Sequence, residues 1–328
     1  MTAANIRTGM ARITTHPKFE DETWSPVKVA MAGFLDAEMP NKYRFLNMGL
    51  AALEEVMEPF VDIPSSLGTI PLLVGMPGER AGLHSGTENT FSTRIRSVEY
   101  RHRVRFKPEF LPYEHAAGLI ALKNAILKLE NKEAEFCVAG GIESYMSLKT
   151  LKWLEETENL KCSNNKWGFI PGEAAGFYLL ATTETVKKHR LSSLAQVIAV
   201  ADAKEEQSDS TESVCVGNGL SQAFARVLDS LSEGEQINQV YCDMNGQRHR
   251  IDEYSYTLMR MGSYFEDPNA IIAPANLWGD LGAASAPLLI SLVTEAARKG
   301  YARGNHHLVF TSALNGHRAA ALLKLSSN

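Results

Sequence analysis

The chain has 328 residues, 45% of them hydrophobic, which predicts a globular protein with one large domain or two fused halves. A net charge of −5, with no long run of like charges, argues against a nucleic-acid-binding protein. No window is apolar enough to span a membrane, the N-terminal residues lack the apolar core of a signal peptide, and the four cysteines show no C-x-x-C spacing. We therefore expect a reduced protein in the cytoplasm, with no membrane partner.

Strands and helices alternate along the first half of the sequence. Apolar residues at helical spacing predict helices over residues 43–57 and 115–130, with a helix or irregular loop over residues 78–95. Short apolar runs predict strands over residues 26–33, 69–75 and 136–141. The segment from Val98 to Phe106 alternates apolar and basic residues, which indicates a strand at an exposed face or interface. This βαβ character predicts a parallel or mixed sheet covered by helices.

The second half repeats this plan. Strands are predicted over residues 176–181, 195–200 and 237–242, helices over 220–231 and 283–299, and a closing hairpin over 307–311 and 319–325. The polar stretch of residues 155–167 separates the two halves. We therefore predict an N-terminal half of residues 1–160 and a C-terminal half of residues 161–328.

The stretch of residues 110–146 combines a loop, a helix starting near His115 and a buried strand closed by Gly140 and Gly141. A side chain at such a helix N-terminus lies near backbone N–H groups and the positive end of the helix dipole. This environment stabilises a thiolate or an oxyanion, so the position of His115 is a candidate for chemistry.

Five segments carry a resemblance to a known family. They are E-H-A-A-G at residues 114–118 followed by V-A-G-G-I-E-S at 138–144, P-G-E-A-A-G-F-Y-L-L at 171–180, Y-C-D-M-N-G at 241–246 with Asp252 shortly after, G-D-L-G-A-A at 279–284, and S-A-L-N-G-H-R-A at 312–319. In their order and spacing they resemble the thiolase and β-ketoacyl synthase superfamily. The resemblance implies a thiolase-like α/β fold, in which two similar βαβ-type halves form a layered α/β/α/β/α core.

The resemblance also assigns positions to the catalytic residues of the family. His115 stands where the family has its nucleophilic cysteine, and Asn245 and Asp280 stand where it has two catalytic histidines. Ala275 corresponds to a family lysine and Arg318 to the asparagine of the closing loop. The other pocket-loop positions implied by the motifs are Gly118, Glu173, Gly279 and Gly316.

These replacements affect each part of the condensation chemistry. The family mechanism needs a cysteine thiolate to hold the acyl group, two imidazoles facing the enolate oxygen and an oxyanion hole. An acyl-imidazole at His115 would hydrolyse readily, and a carboxylate at Asp280 would repel the enolate unless burial raised its pKa. Condensation by the family mechanism is therefore not expected.

Two functions follow from the resemblance. The first is a catalytically inactive subunit or accessory protein, either a chain-length-factor-like partner of an active ketosynthase or an accessory to a bacterial secretion effector. The second is an enzyme that transfers acyl groups or hydrolyses thioesters with a His115–Asp280 pair, a pair that could equally be a structural ion pair. An open tunnel to His115 would favour the enzyme, and bulky side chains filling it would favour the subunit.

The expected partners follow from the same resemblance. Family members dimerise through a strand just before the nucleophile, so the strand from Val98 to Phe106 is the candidate edge for a homodimer or for a heterodimer with a ketosynthase-like subunit. A carrier protein or a secretion effector is a further candidate partner. No cofactor is expected, although an acyl-CoA or phosphopantetheine thioester is a candidate ligand.

The remaining cysteines and histidines give weaker signals. Cys137 and Cys242 lie in apolar strands and are predicted to be core thiols, whereas Cys215 lies near glycines in a predicted loop without an evident base. His306 and His307 are adjacent in a strand and point to opposite faces, so no metal site is predicted. His249, between two arginines, is interpreted as solvated surface.

Overall fold

The computed structural model describes residues 3–58, 68–97, 104–206 and 215–326. The helices are α1 Ala3–Arg7, α2 Asn41–Val56, α3 Thr87–Ser97, α4 Ala117–Glu130, α5 Leu148–Glu156, α6 Thr183–His189, α7 Asn218–Leu228, α8 Arg248–Met261, α9 Ala275–Trp278 and α10 Ser285–Arg298. The strands are β1 Thr14–Glu20, β2 Pro26–Val29, β3 Thr69–Gly75, β4 Arg105–Leu111, β5 Phe136–Ser144, β6 Glu173–Ala181, β7 Ala195–Lys204, β8 Gln239–Cys242, β9 Ile271–Ile272, β10 His306–Ser312 and β11 His317–Leu325.

Two larger sheets form the framework. The first has the strand order β4-β3-β5-β6, in which β3 pairs in parallel with β4 and β5 while β6 is antiparallel to β5. The second has the order β7-β11-β10-β8-β9. Every residue of β5 is buried, as expected for a strand covered on both faces.

The helices α4 and α10 lie between the two sheets and contact each other. Helix α4 is apolar on most sides, because it packs against β3 and β5 on one side and against β7 and β11 on the other. Helices α2 and α3 cover the outer face of the first sheet, and α7 and α8 cover the outer face of the second. The predicted five-layer α/β/α/β/α arrangement is confirmed.

A smaller unit packs beside these layers. Strands β1 and β2 form an antiparallel pair, and their apolar residues pack with α5 and with the buried Leu160 and Phe169. The segment after α5 is therefore partly buried, although its composition is polar. The first large sheet takes its last strand, β6, from residues beyond 160, and the division of the chain into halves at that point stays a prediction.

Most predicted elements are present, with shifted ends. The strand predicted from Val98 to Phe106 was predicted to end too early, because β4 covers Arg105–Leu111. Residues 98–103 of that prediction lie outside the described residues. The patterns did not predict α5 and α8. Within the described ranges, each helix is too short or too polar to traverse a lipid bilayer.

Candidate functional site

The structure brings together the three positions that the motifs assigned to catalysis. His115 lies in a 3₁₀ turn, Glu114–Ala116, that leads into α4, and Asn245 follows β8. Asp280 lies in the loop before the 3₁₀ turn Gly282–Ala284 and α10. The His115 Nε2 atom is 2.8 Å from Asp280 Oδ1 and 2.9 Å from Oδ2, while Asn245 Nδ2 donates to Asp280 Oδ2 at 2.6 Å.

The Asp280 carboxylate is the centre of this network. It also accepts hydrogen bonds from the backbone N–H of Gly282 at 2.8 Å and from the Tyr145 hydroxyl at 3.3 Å. Burial alone would raise its pKa, but the charge and the hydrogen bond of His115 outweigh burial, and the pKa lies below its ordinary value. The carboxylate is therefore ionised, which is the state that repels a developing enolate.

His115 is 1% exposed, and the neighbouring carboxylate favours its protonated form. Burial alone would lower its pKa, but the Asp280 carboxylate raises it above the ordinary value. Among the described residues, His115 Nδ1 has no hydrogen-bond partner. The two side chains thus form a buried imidazolium–carboxylate ion pair.

Arg80 closes the network on one side. Its guanidinium pairs with Glu143, donates to the Ser144 carbonyl at 3.0 Å and lies over the Tyr145 ring at 4.3 Å from the centroid. The Glu143 carboxylate also accepts from the backbone N–H of Ala283 at 3.3 Å. Glu143 on β5 therefore links Arg80 to the turn that precedes α10.

Further buried ion pairs surround the site. Arg250 Nη1 lies 3.0 Å from Asp243 Oδ2, and Arg318 Nε lies 2.5 Å from Glu253 Oε1. Arg44 Nη1 lies 2.7 Å from Glu173 Oε1. Two of these residues, Glu173 and Arg318, stand in the sequence motifs. No motif marked Arg44, Arg80 or Arg250, because a lone charged residue in a sequence carries no sign of its partner, and Tyr145 lies just past the motif of residues 138–144.

The cavity beside His115 is small. It is lined by Arg80, Glu114, Glu143, Tyr145, Trp153 and Leu314, among others, and the space that can take the centre of a water molecule is about 20 Å³. One water needs about 10–15 Å³ by this measure. The cavity has room for a single water and none for an acyl chain.

No family model and no curated protein matches the sequence. A chain of a type II polyketide synthase complex, AntDE:AntF, superposes with a TM-score of 0.76 at 14% identity, covering 98% of this chain and 94% of that one. That complex holds an acyl-carrier protein with its ketosynthase.

Two further ketosynthase structures superpose on this chain over nearly its whole length. The ishigamide ketosynthase/chain length factor gives a TM-score of 0.70 at 17% identity, covering 99% of this chain and 94% of that one. The ketosynthase from module 6 of the bacillaene synthase of Bacillus subtilis 168 gives 0.74 at 14% identity, covering 99% of this chain and 68% of that one. This chain has the ketosynthase fold.

Three motif glycines of this ketosynthase fold allow close packing. A Cβ on Gly118 would lie 2.8 Å from Pro287 Cδ, at the start of α10. Gly279 and Gly316 have φ values of +76° and +90°, which disfavour other residues. The two turns that carry Asp280 and the closing loop therefore depend on glycine.

The charged residues that follow Asn245 differ in exposure. The acid shortly after Asn245 that is buried is Glu253, whereas Asp252 is exposed beside Arg248. Arg250 is also buried, because α8 directs it toward Asp243. His249 is half-buried rather than solvated.

Burial makes the thiols of Cys137, Cys215 and Cys242 poor nucleophiles. Burial raises the pKa of Cys137 to about 11, and it also raises the pKa of Cys242 and of Cys215. The Cys215 Sγ and carboxylate oxygens of Glu205 and Glu253 lie within 4.8 Å of one another. This set is able to hold a metal ion, although Arg318 already pairs with Glu253.

Proposed function

We propose that this chain is a non-condensing ketosynthase-fold protein that acts as a subunit or accessory through protein contacts. One observation carries the proposal: the residues at the three catalytic positions bind each other, beside a cavity with room for one water. An ion pair of this kind presents no thiolate to an acyl group, and its ionised carboxylate opposes an enolate.

The comparisons support a ketosynthase-like or chain-length-factor-like role. Both the AntDE:AntF complex and the ishigamide ketosynthase/chain length factor match this chain over nearly its whole length. By analogy, the partner of this chain is an active ketosynthase-like subunit or a carrier protein, with β4 as the candidate contact strand. A role as an accessory to a secretion effector is the second form of the same proposal.

The alternative is an acyl-transferring or thioester-hydrolysing enzyme. The His115 Nδ1 atom supports this enzyme alternative, because that nitrogen has no partner among the described residues and the Asp280 carboxylate orients the ring. The raised pKa of His115 argues against the enzyme alternative, since a protonated imidazole is neither a base nor a nucleophile.

Intact-protein mass spectrometry after incubation with short and medium acyl-CoA thioesters tests the proposal, with CoA release followed in parallel. We expect no adduct and no release above the buffer rate, while an active ketosynthase assayed alongside is acylated. Acylation or CoA release that is lost in a folded His115→Gln variant would establish the enzyme instead.

Co-purification then separates the two subunit roles. Co-expression with the product of a neighbouring gene that retains the nucleophilic cysteine should give a stable complex if the chain is a ketosynthase partner. A stable complex with a secretion effector instead would assign the accessory role.

A further inference from the structure

The outer edge of β6 differs from the corresponding edge in the second sheet. Strands β4, β3 and β5 are parallel and β6 is antiparallel to them, and β9, β8, β10 and β11 repeat this arrangement. In the second sheet a fifth strand, β7, pairs antiparallel with β11. Within the described residues no strand takes the equivalent place beside β6, so this edge is where an antiparallel strand would add to the first sheet.

Two hydrogen bonds show which backbone groups of β6 point outward. The Gly172 carbonyl accepts from the N–H of Tyr145, just past β5, whereas the N–H of Glu173 donates to the Ala30 carbonyl at 3.2 Å on the other side. Along an antiparallel strand, the N–H and C=O of one residue point to the same edge, and those of the next residue point to the opposite edge. The outward-pointing residues of β6 are therefore Ala175, Phe177, Leu179 and Ala181.

The composition of β6 is unusual for a strand at the edge of a sheet. Edge strands of native proteins are commonly short, or carry charged residues or proline, which prevent other strands from adding. Strand β4 contains Pro108 beside Lys107, β7 ends with Asp202 and Lys204, and β9 has only two residues. By contrast, residues 174–181 of β6 include neither a charged residue nor a proline, and all are half-buried.

A second copy of β6 supplies a matching strand. A twofold axis at Tyr178 places Phe177 opposite Leu179 of the second copy. Ala175 then lies opposite Ala181. Outward-pointing residues thus face each other, so every outward N–H meets a carbonyl of the other strand.

The side chains of this pairing are also compatible. Phe177 and Leu179 both pack on the face of the sheet that α2 covers, so each lies beside the other's counterpart in the second copy. No like charges meet along residues 174–181. The twofold pairing uses the open edge of both copies, so association through β6 stops at two chains.

We propose that the outer edge of β6 is an interface between two copies of this chain, in which the two β6 strands pair antiparallel about a twofold axis. The two first sheets then form one continuous sheet. This proposal does not rest on the proposed function, because it involves neither the site around His115 nor a different chain.

Residue-resolved hydrogen exchange of the full chain over a range of concentrations tests the proposal, with sedimentation velocity on the same samples. We expect a dimer in which the Phe177 and Leu179 amides exchange slowly, and faster exchange of both after dilution to the monomer. The Tyr178 amide is the internal control, because it points to β5 and should stay protected at every concentration.

Three results would overturn the proposal. They are a monomer at every concentration, a dimer whose Phe177 and Leu179 amides exchange as fast as in the monomer, and protection of these amides that appears only when a ketosynthase or carrier protein is added. The last result would assign the edge to that other chain.

A proline variant tests the same interface by a second route. Ala175→Pro removes one outward N–H from each copy while leaving the bonds to β5 in place, so the self-association constant should fall about 30-fold. Val200→Pro is the matched control, because it removes an outward N–H from β7, the edge strand of the second sheet, and should leave association unchanged. Equal association constants for the two variants would contradict pairing through β6.

Discussion

Replacing Asp280 by asparagine removes the charge at the centre of the site while keeping the side-chain shape. The carboxylate accepts from His115 at 2.8 Å, from Asn245 at 2.6 Å and from the Gly282 N–H at 2.8 Å, all buried. Removing one partner of a buried ion pair costs about 3–5 kcal/mol, because the other charge is left without compensation. We expect Asp280→Asn to lose about that much free energy of unfolding at neutral pH.

Urea unfolding, followed by circular dichroism and by tryptophan fluorescence, measures this loss. The two signals must coincide and the slope with urea must stay constant for the comparison to hold. Asp252→Asn is the matched control, because that carboxylate is exposed and lies 3.8 Å from Arg248 Nε. Its unfolding free energy should change by no more than about 0.5 kcal/mol.

A loss below about 1 kcal/mol for Asp280→Asn would refute the buried ion pair as a structural element. A gain in unfolding free energy for Asp280→Asn would contradict the structural role more strongly. It would indicate that the wild-type carboxylate is held in an unfavourable environment, as catalytic groups often are, and would support the enzyme alternative.

Three further predictions concern pH, packing and thiol reactivity. Because the pKa of His115 is raised in the folded protein, the stability it contributes is present below the unfolded value of about 6.5 and is lost as pH rises through the folded pKa. The unfolding free energy of wild type minus that of His115→Gln should therefore fall across this range in urea titrations, and a difference that rises with pH would contradict the assignment. Gly118→Ala should cost about 1–3 kcal/mol in the same assay, because its Cβ overlaps the proline that starts α10, whereas Gly33→Ala, with no atom within 4 Å, should be near neutral. Iodoacetamide at neutral pH should leave Cys137 and Cys242 unmodified in the folded protein and react with both after unfolding, which mass spectrometry detects; labelling of either in the folded state would contradict their burial.

The apolar runs predicted much of the fold. The bounds of β3 were predicted correctly, because Thr69–Gly75 is a short apolar segment that ends in a glycine. Helix α5 was missed since only Thr150, Leu151 and Leu154 are buried, and its charged face resembles a linker. Helix α8 was missed for a related reason: its buried face includes Arg250 and Glu253, which no hydrophobic pattern marks.

The sequence predicted which residues meet at the site, but not their pKa shifts or the space around them. The motifs predicted that His115, Asn245 and Asp280 lie close together, and the structure shows that they do. His115 and Asp280 are 165 residues apart in the sequence. The sequence did not reveal the direction of each pKa shift or the size of the cavity. The pKa shifts depend partly on the buried Arg250, and the cavity is lined by Arg80 and Tyr145. No motif marked either arginine.

The four buried arginine–carboxylate pairs around the site constrain how this sequence can diverge. Three of them join residues distant in the sequence, as Arg44 with Glu173 and Arg80 with Glu143 illustrate, and the fourth joins Asp243 to Arg250. A change at one member leaves the charge of the other member buried without a partner. Replacing both members by apolar residues of similar volume is often tolerated. Homologous sequences should therefore exchange these residues in pairs, and correlated substitution at 44 with 173, 80 with 143, 243 with 250 and 253 with 318 would record that history.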